Sequence, residues 1–150
     1  MPLSLAAGAL CRYNDLWYLL RNEEGLLCDF GGKSAGPTQK ATAYRHLLAK
    51  GGLTSENVIQ TIAELVNTKN NYLLLILRVN QPPVAQLDNT SVVAHENIYT
   101  WYEEQKHQPY HHGEFKTRLR FFKGLQKKIN EIQPGQPAPV ENGAGFDFIL

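Results

Sequence analysis

The pattern of apolar and polar residues predicts that the chain begins with three strands. Two apolar runs, residues 3–12 and 16–21, flank an Asn-Asp pair, and such a pair between two runs is typical of a β-hairpin turn. A third run, residues 26–30, ends at a Gly-Gly pair. Because glycine has no Cβ, this position allows the backbone to approach its surroundings closely.

A helix is predicted to follow the two glycines. Thr38 is a suitable N-cap, and Gly51 and Gly52 end the pattern in the way that C-cap residues do. The apolar residues between these caps recur at helical spacing and share one face. They are Ala43, Leu47 and Leu48.

A second helix is predicted to begin at Ser55. Glu56 would lie in its first turn, where a carboxylate interacts favourably with the positive end of the helix dipole. The apolar residues after it recur at helical spacing and would form a buried stripe. They are Val58, Ile59, Ile62, Leu65 and Val66.

A strand buried on both faces is predicted at residues 72–79. Their sequence, YLLLILRV, is almost continuously apolar, which is typical of a strand in the interior of a sheet. A Pro-Pro pair ends this strand. We then predict a loop at residues 82–89, a short strand at 91–94, and a helical or irregular segment at 98–105.

The last clear helical pattern covers residues 114–131, with Phe115, Leu119, Phe122 and Ile129 on its core face. A Pro/Gly-rich linker follows. In the final five residues apolar side chains alternate as in a strand, and this tail could add to an edge of its own sheet or of a partner's sheet. We therefore divide the chain into a domain, residues 1–131, and a linker with an apolar tail, residues 132–150.

The order of these elements predicts the α/β class, with a mixed sheet sandwiched between helices. A length of 150 residues fits one domain with a substantial core. Hydrophobic residues make up 43% and charged residues 19%, which is ordinary for a globular protein. The net charge of +1 gives no overall field that would attract nucleic acid or an acidic membrane.

The cysteines and the N-terminus indicate a cytoplasmic protein. Cys11 and Cys28 lack the spacing of a metal-binding pair, so two free thiols in a reducing compartment are favoured over a disulfide. The apolar N-terminal stretch is short and lacks the basic start of a signal peptide. No segment approaches the roughly 20 apolar residues of a membrane helix, so we expect no membrane partner.

The segment GGKSAGPTQKATAYRHLLAKGGL, residues 31–53, resembles a Nudix box. That pattern is a glycine, five residues, a glutamate, seven residues, and then Arg-Glu-aliphatic-x-Glu-Glu-x-Gly-aliphatic. With one residue deleted before the arginine, the matching residues are Gly32, Arg45, Leu47, Gly52 and Leu53. The DFGGK stretch at 29–33 is similar to Nudix proteins of large DNA viruses, and the surrounding segments also resemble family members. The resemblance implies a Nudix-like α/β/α sandwich with a mixed central sheet.

The acidic residues of the Nudix pattern are missing. Their positions align with Thr38, His46, Ala49 and Lys50, and no Asp or Glu lies between Gly31 and Gly52. In the family these carboxylates hold Mg²⁺, a hard cation that prefers carboxylate oxygens and activates water for diphosphate cleavage. Lys50 would also repel the metal, by about 4 kcal/mol for two unit charges 4 Å apart at a surface-like dielectric. We therefore expect a catalytically inactive relative that acts by binding or scaffolding, with no cofactor.

A ligand could still bind at this segment. His46 and Lys50 are four residues apart and share a helix face, so they could replace the charge of the metal and hold a ligand phosphate; alternatively, the old site has decayed and both side chains are solvated. Trp101 could stack a base. The candidate ligand-binding residues are Gly31, Gly32, Lys33, Arg45, His46, Lys50 and Trp101.

Two alternatives to the inactive domain stay open. Carboxylates from outside the helix could build a displaced Mg²⁺ site, which would make the chain an active hydrolase of nucleoside diphosphate-linked substrates, including the mRNA cap. The candidates for that site are Asp29, Glu96, Glu103 and Glu104. The second alternative is an RNA-binding module, because basic residues line one side of the last predicted helix, although such a face is also typical of simple solvation. They are Lys116, Arg120, Lys123 and Lys127. The partners we expect are a protein or larger assembly, with a nucleotide or RNA as a further ligand.

Overall fold

The structure is a computed structural model that describes residues 5–67, 71–97 and 146–147. Within these residues, one α-helix packs on a mixed sheet of eight strands. The strands are β1 (Ala7–Tyr13), β2 (Leu16–Arg21), β3 (Leu27–Cys28), β4 (Phe30–Gly32), β5 (Val58–Asn67), β6 (Tyr72–Val79), β7 (Ser91–His95) and β8 (Phe146–Asp147), and the helix is α1 (Gln39–Gly51). The structure confirms the predicted hairpin, the third run, the helix after the glycines and the strands near residues 72–79 and 91–94.

The sheet is built around β1. One edge of β1 pairs with β6 in parallel, from Ala7↔Leu73 to Arg12↔Arg78. The other edge is shared between two antiparallel partners, β4 beside the first half of β1 and β2 beside its end. The main path through the sheet is β3-β2-β1-β6-β5-β8, and β7 extends it from β2. Parallel and antiparallel pairs occur together, so the predicted mixed central sheet is confirmed.

The two faces of the sheet carry separate apolar clusters. On one face, α1 packs across β1, β4 and β6. Its Ala43 and Leu47 join a cluster with alternate residues of β1 and β6, among them Ala9 and Leu75. The intervening residues point to the opposite face, where the cluster contains Leu10, Trp17, Leu19, Ile62, Leu74 and Ile76. Since β6 contributes to both clusters, the prediction of a strand buried on both faces is confirmed.

The predicted helix from Ser55 is wrong. Only one 3-10 turn, Ser55–Asn57, is formed there, and the residues from Val58 onward are β5. The pairing of β5 with β6 contains two irregularities, between Val58 and Gln60 and between Thr61 and Ala63. Each irregularity adds a residue to the strand, so the strict alternation of a strand is lost and the apolar residues recur at a spacing that resembles a helix.

Several predictions lie outside the described residues. These are the segment at residues 98–105, the helix at 114–131, the whole linker, and the last three residues of the tail. In the part of the chain that is described, no helix is long and apolar enough to cross a membrane.

Candidate functional site

The candidate site is the connection between β4 and α1 together with the outer face of that helix. Thr38 is the N-cap, and its side chain accepts a hydrogen bond from the backbone N–H of Ala41 at 3.1 Å. At the other end, Gly52 adopts the left-handed conformation, with φ of 72°, and its N–H donates to the carbonyl oxygen of Leu48. Both caps are the ones that the sequence predicts, so the bounds of the helix follow from local chemistry.

Glycines are required where β4 leaves the sheet. A Cβ on Gly31 would lie 2.2 Å from the hydroxyl of Tyr72 and 2.7 Å from the Cα of Gly8. A Cβ on Gly32 would lie 2.9 Å from the ring of His46. No side chain fits at Gly31, because one of its neighbours is the backbone of Gly8, which cannot move aside. The close backbone approach predicted for the Gly-Gly pair is therefore confirmed, and its neighbours are identified.

Asp29 is a buried carboxylate beside these glycines. It is only 4% exposed, and its Oδ2 accepts a hydrogen bond from the hydroxyl of Tyr72 at 2.6 Å. The sequence suggested Asp29 as a displaced metal ligand, but here its carboxylate contacts a side chain of the sheet interior. Glu96, a second member of that set, is exposed just after β7. Glu103 and Glu104 lie outside the described residues, as do Trp101 and the basic residues Lys116, Arg120, Lys123 and Lys127.

His46 and Lys50 hold the connection against the helix. The Nε2 of His46 lies 2.7 Å from the carbonyl oxygen of Lys33 and donates to it. One turn later, the ammonium of Lys50 donates to the carbonyl oxygen of Gly31. The two side chains therefore share one helix face, as their spacing predicts, and their partners are backbone oxygens of β4 and of the residue after it. Lys33 and Arg45 have exposed side chains nearby in sequence.

The fold of this chain is similar to that of solved structures of Nudix hydrolases. An Ap4A hydrolase from C. elegans matches with a TM-score of 0.55 and 15% identity over 81% of this chain and 98% of that chain. The Nudix hydrolase RenU from M. smegmatis matches with a TM-score of 0.54 and 19% identity over 83% of this chain and 86% of that one. A pyrophosphohydrolase from Bacillus subtilis matches with a TM-score of 0.56 and 14% identity over 87% of this chain and 84% of that chain. The chain has the Nudix fold.

Sequence comparison adds no closer relative. No family model matches the sequence, and no curated protein matches it. The Nudix fold is therefore established by structure, and the Nudix helix, α1, can be compared with the family pattern position by position.

The side chains on the Nudix helix do not fit a Mg²⁺ ion. Of the four positions where the family has glutamate, Thr38 caps the helix, Ala49 has no donor atom, and His46 and Lys50 are nitrogen donors bonded to carbonyl oxygens. Mg²⁺ requires oxygen ligands, above all carboxylates, in octahedral geometry. Across the described ranges, no three His, Cys, Asp or Glu side chains are grouped closely enough to hold a metal ion.

An ion pair between an exposed lysine and a buried glutamate, which the sequence did not indicate, joins the helix to β5. Glu64 is 3% exposed, and its Oε1 lies 3.0 Å from the Nζ of Lys40 in the first turn of the helix. The partners are distant in sequence, and Glu64 stands in a segment whose predicted structure was wrong. A single acidic residue among apolar neighbours (AELV) is the signal that could have identified it. Because Glu64 offsets Lys40, the remaining positive charge at the site belongs to Lys33, Arg45 and Lys50.

Proposed function

We propose that this chain is a catalytically inactive Nudix-fold domain of the cytoplasm that acts by binding. Its partner is a protein or larger assembly, and the face of the Nudix helix retains affinity for a phosphate-bearing ligand such as a nucleotide. One observation carries the proposal. On a helix without a single carboxylate, the ammonium of Lys50 donates to the carbonyl oxygen of Gly31. Cys11 and Cys28 form no disulfide in the described part of the chain, which agrees with a reducing compartment.

The loss of activity follows from charge and ligand chemistry. Each family carboxylate would lower the energy of a bound divalent cation, whereas Lys50 raises it by at least about 4 kcal/mol at 4 Å in a surface-like dielectric. The lysine also supplies the hydrogen bond that the Gly31 carbonyl needs. This contact joins the helix to β4 without a metal ion.

Affinity for phosphate is supported by the same substitutions. Lys33, Arg45 and Lys50 bring positive charge to the helix and to the connection before it, and no Asp or Glu between Gly31 and Gly52 offsets it. A phosphate group carries a charge of about −1.5 to −2 and accepts charge-assisted hydrogen bonds from such side chains. A diphosphate could therefore be held directly, without the metal that active relatives require.

The experiment is a hydrolysis assay with the full chain in Mg²⁺ or Mn²⁺, using dinucleoside polyphosphates, ADP-ribose, nucleoside diphosphates and capped RNA. We expect no product above the buffer blank. The same panel is tested on Glu103→Gln and Glu104→Gln. Turnover by the unaltered chain that disappears in either variant would overturn the proposal and establish a hydrolase with displaced carboxylates.

A binding assay without metal tests the ligand. We expect nucleoside diphosphate to bind the unaltered chain and to bind more weakly, by about tenfold, to Arg45→Met or Lys33→Met. Both variants keep an aliphatic stem on an exposed residue, so the fold is not at risk. Binding of RNA that weakens with salt and is lost in Lys116→Glu and Arg120→Glu, with no effect of Arg45→Met, would instead support the RNA-binding module.

A further inference from the structure

Arg12 is a buried cation on the sheet face opposite the Nudix helix. It lies near the end of β1 and is 8% exposed. The Cζ of its guanidinium lies 4.7 Å from the ring centroid of Trp17, which is fully buried in the same face. A guanidinium over an indole ring is favourable and has little freedom to move. The position of this charge is therefore fixed by the fold.

A second arginine stands beside it in register. Arg12 of β1 pairs with Arg78 of β6, and Arg78 pairs in turn with Gln60 of β5. Partners in register point to the same face of a sheet, and neighbouring strands are about 4.8 Å apart. The Nε of Arg78 donates to the Oε1 of Gln60 at 3.4 Å. Trp17, Arg12, Arg78 and Gln60 thus form a row across four strands at the carboxyl ends of β1 and β6.

The charge in this row is not balanced by the described carboxylates. The acidic group paired with Arg12 is that of Asp15, which is 3.9 Å away and has a 91% exposed side chain. The Nη1 of Arg12 is buried and has no hydrogen-bond acceptor among the described residues. Burial and then the neighbouring charge of Arg78 lower the pKa of Arg12, and Asp15 raises it in part. A buried donor and two adjacent cations are costly unless an anion joins them.

We propose that Arg12 and Arg78 form a phosphate-binding site on the face opposite the Nudix helix. A phosphate group has a charge of about −1.5 to −2, which offsets both guanidinium groups at once. The planar fork of arginine suits its oxygens, and the buried Nη1 of Arg12 supplies a donor without another acceptor in the described chain. This site is separated from Lys33, Arg45 and Lys50 by the sheet and does not depend on the function proposed for the helix face.

The probes are inorganic phosphate and a pair of short RNA oligonucleotides, one with a 5′-phosphate and one with a 5′-hydroxyl. Calorimetric titration of the full chain should give saturable binding of phosphate in the millimolar range or tighter. Arg12→Met and Arg78→Met should each weaken it at least about tenfold. Arg21→Met, which removes a cation at the far end of β2 from Trp17, should leave it unchanged. Preference for the 5′-phosphorylated oligonucleotide identifies a nucleic acid end as the source; equal affinity for both identifies a small phosphate compound.

A conservative variant protects the test against misfolding. Arg12→Lys keeps the charge and loses the planar fork, so its phosphate affinity should lie between those of the unaltered chain and Arg12→Met, with an unchanged circular dichroism spectrum. The proposal is overturned if the unaltered chain shows no saturable phosphate binding. It is also overturned if Arg12→Lys and Arg78→Met bind phosphate as well as the unaltered chain while Arg45→Met does not.

Discussion

At the residue scale, Lys50 is a cation with its own structural partner at a position where the Nudix pattern has a glutamate. Its ammonium donates to the carbonyl oxygen of Gly31 across the junction between β4 and the helix. His46 makes the equivalent contact with Lys33 one turn earlier. Both contacts use atoms of the chain itself, so these residues stabilise the junction whether or not a ligand is bound.

We predict that Lys50→Met lowers the free energy of unfolding by about 1 kcal/mol, because methionine fills the space of the aliphatic stem but leaves the Gly31 carbonyl without its donor. Lys33→Met is the matched control. Its side chain is exposed and only its backbone oxygen is used, so the change should be within about 0.5 kcal/mol. Urea unfolding of the three proteins measures both values. Equal stability of all three would show that the Lys50 contact contributes nothing.

A pH dependence is expected from His95 on β7. Burial and then the positive charge of Arg21 lower its pKa in the folded chain. As the pH falls, His95 is therefore protonated first in the unfolded chain. The stability that neutral His95 allows is fully present above the pKa of the unfolded chain, near 6.5. It is lost as the pH falls toward the lower pKa of the folded chain. Urea unfolding from about pH 7.5 to 5 should show this loss, and His95→Gln should reduce it. An unchanged slope in that variant would contradict the assignment.

The missing glutamates could be identified from the sequence alone because the box is a local pattern with fixed spacing. The partners of the buried carboxylates could not be identified from the sequence. Asp29 meets Tyr72 and Glu64 meets Lys40 only after the sheet and helix have assembled. Periodicity records which residues are apolar, and it does not record which distant side chains become neighbours.

At the scale of elements, α1 and β5 show when local pattern is sufficient. The helix is bounded by Thr38 and Gly52, whose capping chemistry acts within a few residues. In β5, the two irregularities place Val58, Thr61 and Glu64 opposite Val79, Leu77 and Leu75, which face the helix. That spacing of three residues is close to a helical turn, so only the pairing with β6 distinguishes the strand from a helix.

The strand can be distinguished from the predicted helix by two isoleucines that the helical stripe would have buried together. Ile62 is fully buried, whereas Ile59 is 58% exposed. We predict that Ile62→Ala lowers the free energy of unfolding by about 2–5 kcal/mol. Ile59→Ala should lower it by less than about 1 kcal/mol. Similar losses in the two variants, measured by denaturant unfolding, would contradict the placement of β5.

At the scale of the whole molecule, the order of elements was sufficient to predict a mixed sheet with a helix on it, and the Nudix fold agrees. The sheet edge that the C-terminal tail joins could be identified only from the structure. The sequence left the tail free to join its own sheet or a partner's, and Phe146–Asp147 pairs in parallel with Leu65 and Val66 of β5. Alternating apolar residues predict that the tail forms a strand. They do not predict which sheet edge it joins, because that depends on which edge the assembled fold leaves open.

The central claim is that the Nudix helix no longer supports a divalent metal centre. The most direct test is a titration of the full chain with Mn²⁺ in the presence of a nucleoside diphosphate. The electron paramagnetic resonance signal of the free ion measures how much Mn²⁺ remains unbound. The account predicts that the chain removes no more Mn²⁺ from solution than the nucleotide does alone, because Thr38, His46, Ala49 and Lys50 offer no carboxylate. One Mn²⁺ bound per chain, with affinity that increases in Lys50→Ala, would place a metal at this helix and contradict the account.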